Sequence, residues 1–160
     1  MVFVTVGSQK FPFNRLLEQI DGLMEKGVLT EEVFAQTGYS DYLPKHYAFA
    51  HFLDRKEFAA WEEKAEIVIS HGGTGAMIGA VKKGKKVIAV PRLARYGEHV
   101  DDHQLQIIAE FEKQNLVYGL RDCSELEKAL QFVRMHAFGT YTSNIDRLIA
   151  DIETYIEDII

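Results

Sequence analysis

Ile67-Val68-Ile69-Ser70-His71-Gly72-Gly73-Thr74-Gly75 is the stretch that decides the fold. A short apolar run rich in β-branched residues reads as a strand buried on both faces. The glycines that end it open a helix expected from Thr74 to about Lys83. A strand delivered into a helix in this way is the repeating unit of a parallel sheet, because each parallel crossover needs a helix to bring the chain back. Glycines at such a turn let a ligand approach the backbone. Free N–H groups and the positive end of the helix dipole then favour an anion such as a diphosphate. A tight turn with no ligand is the alternative, since glycine-rich turns are common in this fold class.

The same alternation extends in both directions. Upstream, Val2 to Val6 reads as a strand closed by Gly7-Ser8. A helix carries Phe13, Leu16, Leu17, Ile20 and Leu23 to a stop at Gly27, with Pro12 near its start. Strands are expected over Glu32–Thr37 and Tyr47–Leu53, separated by a turn holding Gly38, Ser40, Asp41 and Pro44, and a helix from Asp54 to Lys64. Leu53, Phe58 and Trp61 fall at core spacing. Downstream come a strand over Lys86–Val90, a polar stretch from Pro91 to about Asp101, and a helix carrying Leu105, Ile108 and Phe111. A short strand around Leu116–Tyr118 and helices over Ser124–His136 and Ser143–Ile159 complete the pattern. The expectation is α/β: a single Rossmann-like domain over 1–160, a parallel sheet with helices on both faces, with 143–160 a terminal amphipathic helix. Ligands of such sheets bind beyond the carboxyl ends of the strands. That rule marks the loops Gly7–Phe11, Ser70–Gly75 and Pro91–Asp102.

Composition narrows the function classes. A chain of 160 residues with 47% hydrophobic and 26% charged residues is an ordinary globular domain, neither disordered nor collagen-like. Its net charge of −6 works against a nucleic-acid binder, which must neutralise phosphates with a basic face. The single cysteine, Cys123, forms no intramolecular disulfide and builds no cysteine zinc site, which fits a reducing compartment. Met1–Val6 reaches Gly7 too early for a signal peptide, and no apolar run approaches the ~18 residues of a spanning helix. A cytoplasmic protein is expected, and any work at a membrane needs another anchor.

Several motifs fail on inspection. Neither glycine turn supplies G-x-G-x-x-G, which excludes the usual dinucleotide-binding dehydrogenase. Gly79-Ala80-Val81-Lys82-Lys83-Gly84-Lys85-Lys86 imitates a phosphate loop, but Lys86 stands where Ser or Thr must hold magnesium, and the stretch lies between a helix and the next strand, the reverse of the required order. His99 and His103, with Glu98, Asp101 and Asp102 nearby, raise a metal-dependent hydrolase as a rival. Histidines four apart share a metal only when both are helical, and Asp101 or Asp102 reads as the cap that starts the helix after His99. No metal is therefore expected. His46, His51 and His136 have no partners at readable spacing.

Val2–Ser8, Gln36-Thr37-Gly38-Tyr39, the run from Ile67 to Gly75, Gly84–Pro91 and Asp102-His103-Gln104 together resemble the C-terminal, donor-binding half of family 28 glycosyltransferases of the GT-B fold. Nearly the whole chain is covered. The likeness is to stand-alone versions of that half. These include the small subunit of the eukaryotic enzyme that adds the second N-acetylglucosamine to dolichol-linked sugar, and bacterial exopolysaccharide and capsule counterparts. Gln36–Asp41, and Gly84–Pro91 with Gly97-Glu98-His99, are similar to the bacterial galactosyl- or glucosyltransferase subunits.

The resemblance implies roles. His71, Gly72, Gly73, Thr74 and Gly75 would hold the diphosphate of a UDP-sugar, with Gly7 and Ser8 approaching it from the first loop. Phe52 and Leu53 fall where backbone groups read uracil, and Gln104, His103 and Asp102 where hydroxyls of the donor sugar are bound. Relatives place a ribose-binding carboxylate on the helix after the glycine loop. This chain has Gly79 there, which leaves Glu98 or a water as substitutes.

The implied function is a donor-binding or catalytic subunit that adds a hexose from a UDP-sugar to a lipid-linked saccharide, without a cofactor or a metal. The alternative is an accessory subunit that stabilises or regulates a partner glycosyltransferase. No catalytic base is assignable, and one carried by the partner is a possible source. A membrane-anchored partner would complete the cleft and recruit the chain to the cytoplasmic face. Its docking surface is expected on the terminal helix through Ile145, Leu148, Ile149, Ile152, Ile156 and Ile159, which recur at three- and four-residue steps.

Overall fold

In the computed structural model, which describes residues 1–142, 146–147 and 150–154, six parallel strands lie in the order β3-β2-β1-β4-β5-β6. They are β1 (Val2–Thr5), β2 (Val33–Gln36), β3 (Ala48–Ala50), β4 (Ile67–His71), β5 (Lys86–Val90) and β6 (Tyr118–Gly119). The helices are α1 (Asn14–Glu25), α2 (Arg55–Lys64), α3 (Thr74–Lys82), α4 (His103–Lys113) and α5 (Leu126–Met135). Short 3₁₀ turns occupy Ala94–Tyr96 and Cys123–Glu125.

Alternation along the strands divides the core into two layers. Val2, Val4, Ile67, Ile69, Ile88 and Val90 turn to the face covered by α1 and α5, where Leu16, Leu17, Ile20, Leu130 and Val133 meet them. Phe3, Val68, Val87 and Ala89 turn to the other face and pack on Met77, Ala80, Ile108 and Phe111 of α3 and α4. Phe58 and Trp61 of α2 join this second layer. Trp61 stacks on Phe34 at 3.9 Å and Phe58 meets Phe3 edge-on at 5.1 Å, so the core expectation for both holds.

Element edges differ from the sequence reading where polar chemistry intervenes. The third strand shortens to Ala48–Ala50, an edge strand paired only with β2. The last strand starts at Tyr118, because Leu116 and Val117 are already packed into the second layer and only two residues register with β5. The helix expected from Ser124 begins as a 3₁₀ turn, with the Asp122 carboxylate accepting the Ser124 N–H at 2.9 Å. Helix α2 starts as expected at Asp54, which forms a reciprocal capping box with Glu57. Of the terminal helix, only 146–147 and 150–154 are described. Ile145, Leu148, Ile149, Ile156 and Ile159 lie outside the described residues, and Ile152 is buried against its own chain.

A polar knot fixes the loop between β2 and β3. Asp21 on α1 is buried and accepts bonds from the Tyr42 hydroxyl at 2.6 Å, the Lys45 N–H at 2.8 Å and the His46 N–H at 2.9 Å. Burial alone would raise its carboxyl pKa, but these bonds together hold it below the ordinary value.

Candidate functional site

The reversal of strand order at β1 and β4 opens a crevice beyond their carboxyl ends, where open α/β sheets bind ligands. A cavity of about 570 Å³ lies there. Gly7, Ser8, Phe52, Leu53, His71, Gly73 and Gly75 all line it, so the structure brings together seven residues singled out from sequence. Thr5, Gln9, Gln36, Arg55, Phe58 and Ala76 complete the lining. Arg55 opens α2 and brings a cation to the wall. The Gln36 Oε1 atom is buried without a partner among the described residues.

His71 organises the floor. Its ring is wedged between two backbone segments that have no room for a side chain. A Cβ on Gly7, which sits at φ +75°, would lie 2.5 Å from His71 Nε2, and one on Gly73 would collide with His71 Cε1. Nδ1 accepts the Gly73 N–H at 3.2 Å. Burial, reinforced by the charge of Arg92 and by the neighbouring His99, pushes the His71 pKa down to about 3. The ring is therefore neutral at physiological pH, and with Nδ1 accepting, its hydrogen is on Nε2.

Above that ring begins α3. Among the described residues no side chain caps it, and its first turn has no acidic residue of its own, although the Thr74 hydroxyl donates to the Glu153 carboxylate at 3.4 Å. Its leading N–H groups have no partner among the described residues and carry the positive end of the helix dipole. Among the described residues, a Cβ at Gly75 would meet nothing within 4 Å. The glycine turn and helix end together form a cradle with the size and polarity for a diphosphate.

Gln104 lies behind the cradle. It is buried, and its Oε1 accepts both the Gly72 N–H at 3.0 Å and the Arg92 N–H at 2.8 Å, while Nε2 lies 3.4 Å from His71 Nδ1. The side chain staples the β4 turn to the end of β5, and its oxygen is fully used there. Asp102 and His103 stand beside it at the start of α4 but do not line the cavity. Asp102 caps the neighbouring 3₁₀ turn by accepting the Ala94 N–H at 2.9 Å. Asp101, not Asp102, accepts the His103 N–H, at 3.0 Å. Its carboxylate lies 3.2 Å from His99 Nδ1 and 3.1 Å from His103 Nδ1, so both histidines converge on one acidic side chain.

Glu98 is not available for ribose. It is 3% exposed, bonded by Arg15 Nε at 2.8 Å and by the Leu93 N–H at 3.1 Å, and it faces a separate cavity of about 770 Å³ against α1. The Gly79 position has a different explanation. The Glu62 carboxylate of α2 lies 3.6 Å from where a Gly79 Cβ would stand, and it pairs with Lys83 at 3.0 Å. Glu62 thus brings a carboxylate beside Gly79 from the neighbouring helix, at ordinary contact distance from a Cβ there.

Residues 1–152 match the model of the glycosyltransferase family 28 C-terminal domain. The chain belongs to that family. It is 30% identical over 153 residues to the UDP-N-acetylglucosamine transferase subunit ALG13 of Yarrowia lipolytica, covering 88% of this chain and 76% of the relative. Among solved structures, an NMR structure of ALG13 superposes with a TM-score of 0.61 at 16% identity, covering 92% of this chain and 93% of that one. The Streptomyces glycosyltransferase SsfS6, complexed with thymidine diphosphate, superposes with a TM-score of 0.58 at 21% identity, covering 96% of this chain and 37% of that one. The family 28 chain described here therefore spans little more than a third of the SsfS6 chain. These likenesses establish the fold as that of the C-terminal half of a GT-B glycosyltransferase. No helix among the described residues is long and apolar enough to cross a membrane.

Proposed function

We propose that this family 28 domain is the donor-binding subunit of a UDP-sugar-dependent glycosyltransferase. The observation that carries the reading is the opening of α3, which among the described residues has no side-chain cap, no acidic residue of its own in the first turn and open space at Gly75. The donor's diphosphate sits on that helix end, with the neutral His71 offering its Nε2 hydrogen from below. Uracil lies against Phe52 and Leu53, and the sugar extends toward Asp102 and His103, with Gln104 holding the loops behind the cradle.

In the transfer, an acceptor hydroxyl forms a bond to the anomeric carbon as the bond from that carbon to the diphosphate oxygen breaks. UDP leaves with the electron pair. Charge developing on it is met by N–H groups and the helix dipole, which are fixed before the reaction and so require no reorganisation. The proton of the acceptor hydroxyl passes to a base on a partner subunit. Such stabilisation requires no metal, and UDP should raise the thermal stability in EDTA.

The relative's designation as a transferase subunit supports a two-subunit enzyme. We place the partner's docking surface on the terminal segment, at Ile145, Leu148, Ile149, Ile156 and Ile159, with recruitment to the cytoplasmic face of a membrane where a lipid-linked saccharide is the acceptor. Gln36–Asp41 and Gly84–Pro91 support a galactose or glucose donor in exopolysaccharide or capsule synthesis, whereas the curated relative supports N-acetylglucosamine. The test is transfer to lipid-linked acceptors by the chain with its membrane partner, using UDP-galactose, UDP-glucose and UDP-N-acetylglucosamine. Transfer by the partner alone would favour an accessory role.

A further inference from the structure

Arg92 follows Pro91 at the end of β5 and is fully buried, an expensive position for an arginine. Its Nη1 donates to the Phe11 carbonyl at 2.8 Å and the Glu98 carbonyl at 3.1 Å, and Nη2 donates to the Val6 carbonyl. The Nε atom is buried with no partner among the described residues. Through its backbone N–H the residue also shares the Gln104 oxygen with Gly72. One residue thus ties together the loops that follow β1, β4 and β5, the three that surround the cradle.

The guanidinium is bonded to neutral carbonyls. The carboxylate acting on it is that of Glu98, which already forms the ion pair with Arg15. Two guanidiniums and one carboxylate leave one positive charge unbalanced within this group. Burial pushes the Arg92 pKa down to about 10, which leaves it charged at neutral pH. Its influence reaches the cradle floor, where it helps to keep His71 neutral. Salt screens such a buried charge poorly.

We propose, resting on the donor-site reading above, that Arg92 is a positioning residue for the donor's diphosphate: it fixes the loops after β1 and β5 around the cradle and supplies a buried positive charge that the ligand neutralises. Arg92 acts through the backbone it holds and through space, without touching phosphate. Its contribution is to the charged part of the ligand and not to the nucleoside.

Calorimetric titration of the full chain with UDP and with uridine, in metal-free buffer, separates the two. In Arg92→Met, UDP affinity is expected to fall on the order of tenfold or more, while uridine affinity stays within about twofold. Arg92→Lys keeps the charge but loses the forked geometry, and should recover part of the UDP affinity. Arg15→Gln lies at a more exposed position and leaves the Glu98 carboxylate free to neutralise Arg92. It should weaken UDP several-fold and spare uridine, testing the proposal even if the Arg92 variants fail to fold. Parallel losses for UDP and uridine, or unchanged UDP affinity in Arg92→Met and Arg15→Gln, would overturn it. A wild-type chain that does not bind UDP overturns the donor-site reading itself. Wild-type binding with indifferent variants overturns only the role of Arg92.

Discussion

Gly75→Asp separates the stability of the fold from occupancy of the cradle. An Asp in the first turn of α3 complements the helix dipole by about 0.3–1 kcal/mol and improves on the helix propensity of glycine by a few tenths. No steric cost opposes this from the described residues, because a Cβ at that position meets none of them within 4 Å. The ligand-free variant should therefore gain about 0.5–1 kcal/mol, a rise in Tm of roughly 1–4 °C for a chain of this size. In the wild type, UDP at ten times its Kd adds about 1.4 kcal/mol, or roughly 3–6 °C. The variant puts a carboxylate at the proposed diphosphate site, and should lose about hundredfold in UDP affinity, about 2.7 kcal/mol, so the UDP-induced rise disappears. Thermal unfolding with and without UDP in EDTA reads both effects. A variant that still gains the full wild-type rise would place the diphosphate elsewhere, and one that melts several degrees lower would refute the open space at Gly75.

Gln104→Ala leaves the Gly72 and Arg92 N–H groups without an acceptor, so a loss of about 2–3 kcal/mol is expected in denaturant unfolding. Since the cradle loosens, UDP and UDP-sugar should weaken together, and a loss confined to the UDP-sugar would instead make Gln104 a sugar contact. His71 has a depressed folded pKa, so its contribution is intact above the unfolded value of about 6.5 and is lost as pH falls from there toward 3. Between pH 6.5 and 5 the wild type should lose about 2 kcal/mol more than His71→Gln, measured by urea midpoints, and equal losses would refute the neutral buried ring. Asp21→Ala abandons three donors in the β2–β3 loop and should cost about 2–4 kcal/mol with UDP affinity unchanged once folded, checked by unfolding and calorimetry at low temperature. Removal of residues 151–160 should leave UDP binding intact and abolish co-purification with the partner, and a truncated chain that unfolds would make the segment core.

The strands and the glycine turn were legible because their signals are local. Val2–Thr5, Ile67–His71 and Lys86–Val90 are apolar runs whose neighbours in the chain identify them, and Asp54 starts α2 through a bond to a residue only three away. The cradle was legible for the same reason, its glycines and helix start being contiguous. What could not be read were partnerships between distant residues. Glu98 has the composition of a ligand-binding loop residue, but Arg15 on α1 claims its carboxylate. Gln104 has the chemistry of a sugar contact, yet two N–H groups from other loops consume its oxygen. Arg92 looks like an ordinary charged residue after a strand, and only the packing of three loops shows it to be buried.

The neighbouring positions of β1 and β4, strands far apart in the chain, have a consequence for how the protein reports on itself. The His71 wedge exists only when the loop of the first strand has closed over the turn of the fourth, two strands that the intervening β2, β3 and α2 separate along the chain. Such long-range pairing forms late and slowly compared with local helices. A partly folded chain with helices in place but this seam open therefore lacks the proposed donor site, so nucleotide binding, where the proposal holds, gauges the completed molecule rather than any fragment.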